Sequence, residues 1–416
     1  MKAVHYSVIQ GKSFGYILLL GIFGAITAFG FGAALYMEHN GHIVTGMNNQ
    51  IVWGLPHVFA VFLIVAASGA LNVASMASVF GRALYKPLAR LSGLLAIALL
   101  AGGLAVLLLD LGRPDRLIIA MTYYNFKSIF ALNIILYSGF FLLVGIYLWM
   151  MFERRMNPFT KVAGFFAFIW RLILTTGTGS IFGFLVARQA YDAAIMAPLF
   201  IIMSFAFGLA IFLLVLISSY AWTHREIGDA VVERLRKLLG IFVASVLYFV
   251  LVYHLTNLYV TEHHGIERFI LLDGGIYTEI FWMGQILIGG LIPLLLCLTP
   301  LGRSRPMVLL AAVLVILGGL AQVYVIIIGG QAFPLELFPG KGVSSSFFDG
   351  QITFYQPSIP EMFLGFSGIG ITLLITTFAI KVLPFLPNSL ANKDVDPHFT
   401  DQSKGDSGPS AEAATA

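Results

Sequence analysis

The chain has 416 residues, of which 59% are hydrophobic and 11% charged, with a formal net charge of +4. A mean hydropathy of +0.91 excludes a water-soluble globular protein, because so few polar side chains cannot cover the surface of a chain this long. The single cysteine, Cys297, excludes a disulfide framework, a Cys-ligated iron–sulfur cluster and covalent c-type haem, and the scattering of basic residues among short loops excludes a nucleic-acid partner.

Spanning a bilayer takes roughly 20 predominantly apolar residues. Such runs predict an all-α polytopic membrane bundle with ten transmembrane helices over 14–37, 51–79, 88–111, 129–152, 162–187, 195–222, 239–261, 276–299, 306–329 and 361–383. The first run is too long for the apolar region of a signal peptide and is read as a helix. Residues 1–13 are then a short N-terminal segment and 14–383 the membrane domain. Residues 384–416, polar and ending in Ser, Gly, Ala and Pro, are expected to be a disordered tail.

Lys and Arg set the orientation. The N-terminus, loops 80–87, 153–161, 223–238 and 300–305, Arg90, Lys381 and the tail together hold 17 of the 24 basic residues; the opposite loops hold six, and Arg171 is the one left over. The positive-inside rule places the 17 in the cytoplasm of a bacterial or archaeal cell, with both termini there, which agrees with an even number of spans. Three basic residues of the opposite set, Arg113, Arg116 and Lys127, share the loop 112–128; this concentration on the outer face points to a partner or ligand. The outer loop 330–360 carries Phe333, Leu335, Leu337, Phe338, Phe347 and Phe348 and is expected to lie on the bundle or on a partner.

Taken along the chain, the polar residues inside the spans collect near their outer ends. Glu38 and His39 close the first span and are read as exposed or interfacial. His57 follows in Trp53-Gly-Leu-Pro-His57, about 9 Å along its helix at 1.5 Å per residue. Asp110 ends the third span; Tyr123 and Tyr124 lie at similar depth. Arg171 falls near the middle of the fifth span and is followed by Thr175, Thr176, Thr178 and Ser180. A proton path, with Glu279 at the start of the eighth span as its acidic member, and a structural arginine bonded to carbonyls are both open for it. Close helix packing accounts for small residues such as Gly177 and Gly179; discontinuities there would instead serve a transporter. Arg188 and Asp192, four residues apart, are expected to pair. His254 lies as deep in the seventh span as His57 in the second, and His263 and His264 beyond it are read as exposed.

An ionisable residue in hydrocarbon is a functional-site candidate by default. A quinone head group needs a hydrogen-bond partner at each carbonyl and exchanges two protons with two electrons. Histidine suits that task because its unperturbed pKa of about 6.5 lets it give and take protons near neutrality, and a carboxylate orients the imidazole. His57 with Asp110 are the candidate catalytic pair, and Arg113, His254, Tyr123 and Tyr124 the further quinone contacts. A haem b held by His57 and His254, and an ion- or proton-translocating transporter built around Arg171, remain as alternatives.

Gly54-Leu-Pro-His57, Leu109-Asp-Leu-Gly-Arg-Pro114 and the ten-span layout resemble the NrfD/PsrC family of quinone-interacting membrane subunits, on the branch with the hydrogenase subunit HybB. Phe348-Asp-Gly-Gln-Ile-Thr-Phe-Tyr-Gln-Pro-Ser-Ile-Pro-Glu361 and Asp394-Val-Asp-Pro-His398 look like the DsrP branch, found in sulfur-metabolism complexes of the DsrMKJOP type. The resemblance implies a membrane anchor without a redox centre of its own, a menaquinone or ubiquinone pocket near the periplasmic face, a ferredoxin-like iron–sulfur subunit docked there, and further membrane and cytochrome subunits. It carries over only to His57 and the Asp110–Arg113 segment.

Overall fold

The computed structural model describes residues 4–11, 13–335 and 350–395. Every expected span is a long apolar helix: α1 (Phe14–Asn40), α2 (Leu55–Ser78), α3 (Ala83–Leu109), α4 (Ile129–Phe152), α5 (Arg154–Gly183), α6 (Met196–Trp222), α7 (Asp229–Tyr259), α8 (Ile276–Leu298), α9 (Arg305–Ala332) and α10 (Ile359–Val382). The protein is therefore a multi-pass integral membrane protein.

Local chemistry explains where these helices begin and bend. Ser13, Ser128 and Ser358 each accept a hydrogen bond from the backbone N–H three residues on, the usual way of satisfying a helix start. In α2 the ladder is interrupted after Ala70. The Ser92 hydroxyl, from α3, donates to the Ala70 carbonyl (2.6 Å) and accepts from the Ala74 N–H (3.0 Å). It thereby bridges two groups that would otherwise bond each other, a recognised cause of kinks. In α8, Pro293 brings no N–H to the ladder. The preceding residues Ile280–Leu291 widen into a π-helix, and Val325–Gly329 of α9 do the same.

The bundle has two groups. α2, α3, α4 and α5 pack together, as do α6, α7, α8 and α9, while α6 also packs on α2 and α5 and so joins the groups. α1 and α10 form a flanking pair laid against α2 and α3. The centre is α2, whose apolar window is 94% buried. At its crossing with α6, a Cβ on Gly69 would stand 1.5 Å from the Ser204 carbonyl oxygen, and one on Gly208 2.1 Å from the Ala70 nitrogen. Only glycine permits this approach. Gly69→Ala is expected to push the helices apart at a cost of about 1–3 kcal/mol, read as a lower thermal unfolding midpoint of the purified protein; an unchanged midpoint would show that the crossing is looser than described.

The described ends of the chain, from Val4 and up to Val395, meet on the basic face. The Asn388 N–H donates to the His5 carbonyl (2.9 Å), strands β1 (Glu226–Ile227) and β2 (Ser389–Leu390) pair in parallel, and Arg225 donates to the carbonyls of Leu386 and Pro387. Composition predicts a disordered tail from 384 onward. Its first residues, through Val395, instead close the inner end of the bundle, because these backbone groups find partners in loop 223–228. The rest of the tail lies outside the described residues.

α5 runs without a break through Gly177 and Gly179. These glycines admit Leu136 and Met196–Ala197 of neighbouring helices, so they serve close packing and no discontinuity opens there. Arg188 donates to the carbonyls of Gln50 (2.7 Å) and Gln331 (3.2 Å) rather than pairing with Asp192, since its guanidinium is taken up by these carbonyls of two buried residues. Phe333 and Phe354, from the two described ends of loop 330–360, lie on Phe269 and Tyr277, as expected of a loop packed on the bundle; Leu337, Phe338, Phe347 and Phe348 lie outside the described residues.

Candidate functional site

The site is built around the first turn of α2, on the face opposite strands β1 and β2. Gly54 precedes that turn, and two residues from α10 and its approach hold it. Glu361, wholly buried, accepts from the N–H groups of Gly46 (2.7 Å) and Ser358 (2.8 Å) and from the Tyr355 hydroxyl (2.5 Å). The Tyr355 hydroxyl in turn accepts from the Leu55 N–H (2.8 Å). Gly54 must be small here, since its Cβ would meet Glu361 Oε1 at 2.4 Å. From α9, the Gln331 side chain accepts from the N–H groups of Val52 and Trp53 and donates to the Trp53 carbonyl (3.0 Å). The first turn of α2 is thus fixed from both sides.

Two residues on, His57 Nδ1 stands 2.7 Å from Asp110 Oδ2. The contact is close without being aligned as a regular hydrogen bond, and neither Asp110 oxygen has a donor although both are buried. The Asp110 side chain is 1% exposed and that of His57 17%, so the imidazole keeps an accessible edge away from its buried Nδ1. Helix fields shape the pair further. His57 sits in the first turn of α2, where a cation is disfavoured, and Asp110 caps the C-terminus of α3, where an anion is disfavoured. Trp53 stacks on His57 with ring centroids 6.1 Å apart and is itself surrounded by Phe130, Phe182 and Tyr191. The result is an imidazole–carboxylate pair beside an aromatic wall, suited to a flat ring with an exchangeable proton.

The other expected site residues separate. Arg113 is exposed and forms an ion pair with Asp115 (3.0 Å), not with Asp110; that guanidinium holds the Asp115 carboxyl below its ordinary range. Tyr123 is 84% exposed, and the Tyr124 hydroxyl donates to the Ala131 carbonyl. With Arg116 and Lys127 they lie on or beside a short helix, Leu117–Thr122, none of whose residues is buried. This loop is a surface feature that touches the bundle at the start of α4.

His254 belongs elsewhere, paired with Glu267 in the second helix group at 2.7 Å. Asn257 bridges from Glu267 to His263, so His263 is buried rather than exposed as expected. His57 and His254 thus each face a carboxylate of their own. The cavity beside His254 offers about 30 Å³, room for water and not for a porphyrin, which argues against a haem shared by the two. His264 is exposed. Arg171 is buried on α5 between Phe168 and Phe205, with Nη1 3.4 Å from the Ser68 carbonyl, the carbonyl-bonded alternative. Glu279 is exposed at the start of α8, so the structure does not join it to Arg171.

Glu267, Asn257, Gln331 and Tyr355 escape a reading of the sequence. One relevant signal is there: Ser358-x-x-Glu361 is a capping-box pattern, and it is satisfied in the structure. Glu267 offers none, as its spacing from His254 matches no helical period.

The family model described as "Polysulphide reductase, NrfD" matches residues 43–335, which covers α2 to α9 and leaves out α1 and α10. The chain is 29% identical to the Hdr-like menaquinol oxidoreductase integral membrane subunit of Archaeoglobus fulgidus, over 95% of this chain and 100% of the relative. It is 23% identical to a subunit of the selenate reductase of Mesobacillus selenatarsenatis, over 88% and 93%. It is 24% identical to a component of the polysulfide reductase of Wolinella succinogenes, over 68% and 96%.

Proposed function

The chain belongs to the polysulphide reductase NrfD family of integral membrane subunits, and from that premise we propose that its His57–Asp110 pocket exchanges protons with a membrane quinol whose electrons pass to a partner subunit. The observation that carries this reading is the buried Asp110 carboxylate, 2.7 Å from His57 and with no aligned donor, next to the ring of Trp53. A quinol hydroxyl meets the accessible edge of His57, and Asp110 lies behind that ring. In oxidation, a quinol loses two protons and two electrons. The imidazole takes the two protons one after the other, its charge offset by Asp110, and releases each to water; the two electrons leave to an iron–sulfur partner, since this chain has one cysteine. The direction of oxidation follows the name of the Archaeoglobus relative, a menaquinol oxidoreductase subunit, and menaquinone is accordingly the preferred substrate over ubiquinone.

The exposed segment 113–127 supports a docking role. Ile118 (69%), Tyr123 (84%) and Phe126 (80%) are all exposed among Arg113, Arg116 and Lys127. An apolar surface rimmed by basic residues fits a water-soluble ferredoxin-like subunit on the periplasmic side. The finer assignment to a DsrP-type subunit in a sulfur-metabolism complex is part of this proposal and rests on the segments 348–361 and 394–398. Co-purification of the natural complex with its iron–sulfur subunit tests it.

Binding can be tested on this subunit alone. A menaquinone analogue is expected to quench Trp53 fluorescence in the wild type, to lose that quenching in Trp53→Phe, and to bind at least about tenfold more weakly in Asp110→Asn, the loss of one hydrogen bond to a charged group. Equal quenching in wild type and Trp53→Phe would place the quinone elsewhere.

A further inference from the structure

The second helix group holds an imidazole–carboxylate pair of its own, and the quinol reading gives it no task. Glu267 lies on a short helix, His264–Arg268, folded back over the end of α7, and its side chain is 1% exposed. His254 Nδ1 meets one of its oxygens at 2.7 Å, and the Asn257 amide donates to the other at 2.8 Å. Asn257 is fixed by His263, and the edge of Phe281 covers the His254 ring. The titratable groups that face the pair are Tyr253 and His263; Gln285 from α8 and Gln322 from α9 are neutral. Among the described residues, no lysine or arginine makes an ion pair with Glu267. A buried carboxylate that faces only an imidazole and an amide is costly in low dielectric, and a proton bound there would offset that cost.

That proton has a route. The pair lines a cavity of about 30 Å³, whose floor is Gln285 and Gln322. A second cavity of about 20 Å³ shares both glutamines and continues between Gly289, Gly290, Gly318 and Gly319. About 10–15 Å³ of such space admits one water, provided it has polar partners. Gln322 Nε2 is such a partner: it is buried without an acceptor, in a residue only 2% exposed. The walls include residues of three π-helical stretches, Phe269–Asp273, Ile280–Leu291 and Val325–Gly329, a distortion frequent at functional sites.

We propose that His254 and Glu267 form a second proton-binding centre, served by internal water held at Gln285 and Gln322 and independent of the quinol pocket. Taking up one proton neutralises the pair, and no electron is involved. It gives the second helix group a means of holding a proton below the outer face while chemistry proceeds at His57.

Infrared difference spectroscopy on the full chain in lipid nanodiscs, titrated over about pH 5–9, tests this. The wild type is expected to show a carboxyl C=O band that changes with pH and moves in deuterated water. Glu267→Gln should abolish the band, His254→Asn should displace its titration by at least about one pH unit, and Gln322→Leu should remove the bands of weakly bonded internal water. Trp53 quenching by the menaquinone analogue should be the same in Glu267→Gln as in wild type, so failure of this proposal and failure of the quinol reading are separable. A carboxyl signal that Glu267→Gln leaves unchanged, or a wild-type spectrum with no pH-dependent carboxyl, overturns the proposal. If Glu267→Gln does not fold, His254→Asn and Gln322→Leu decide it: an unshifted titration with unchanged water bands overturns it equally.

Discussion

His57→Ala in the assembled complex is expected to lower quinol oxidation by about 10²-fold or more while leaving assembly intact. Positioned general acid–base catalysis contributes typically 10²–10⁴-fold, and His57 is the group whose accessible edge and buried Nδ1 are arranged for it. Asp110→Asn should act in the same direction, because it removes the charge that offsets a protonated imidazole. An amide also turns one of its two buried oxygens into a donor. The pH profile separates this from a structural loss: in both variants the rate should rise as pH increases, since hydroxide and solvent replace the lost base, whereas mere misfolding scales the whole curve. Wild-type turnover in both variants, with the complex assembled, would falsify the proton-handling role.

Glu361→Ala is expected to produce the largest loss of stability. It strips the partners from the Gly46 N–H, the Ser358 N–H and the Tyr355 hydroxyl together, in a residue with no exposure. An orphaned buried polar group costs about 1–3 kcal/mol, so three put the loss at roughly 3–9 kcal/mol, a large share of the marginal stability of a fold. The same change should weaken quinone binding, because the Tyr355 hydroxyl that Glu361 holds is the acceptor for the Leu55 N–H at the start of the His57 helix. Glu361→Gln keeps the volume and one accepting oxygen and should fall between the two. The thermal midpoint measures the first effect and Trp53 quenching the second. A Glu361→Ala protein with unchanged midpoint would show that α10 does not brace the site. The brace is an addition to the matched family region, which ends at 335.

The membrane architecture is legible in the sequence because a bilayer imposes a single demand, about 20 apolar residues per crossing, which each of the ten runs meets by itself. His57 and Asp110 are legible for a related reason: polar residues at the apolar ends of spans stand out one at a time. Their partners are less so. Arg113, three residues from Asp110, is by sequence as good a partner for it as any; the structure gives that arginine to Asp115 because the chain turns outward at Gly112 and carries it off the bundle. Depth alone groups His254 with His57, and depth says nothing about which helices are neighbours.

By itself, then, the sequence determined the number of spans, the basic face and the two histidines most costly to bury, since each follows from transfer of side chains between water and hydrocarbon. Tertiary structure alone decided which carboxylate each histidine meets, that Glu361 and Gln331 fix the first turn of α2 from positions 274 or more residues further along the chain, and that Gln322 faces a cavity. Those contacts join residues with no shared period or proximity in the chain. They exist only because helices with glycine at their crossings approach closely enough for short-range hydrogen bonds to form, and hydrophobicity, which is non-directional, cannot specify them.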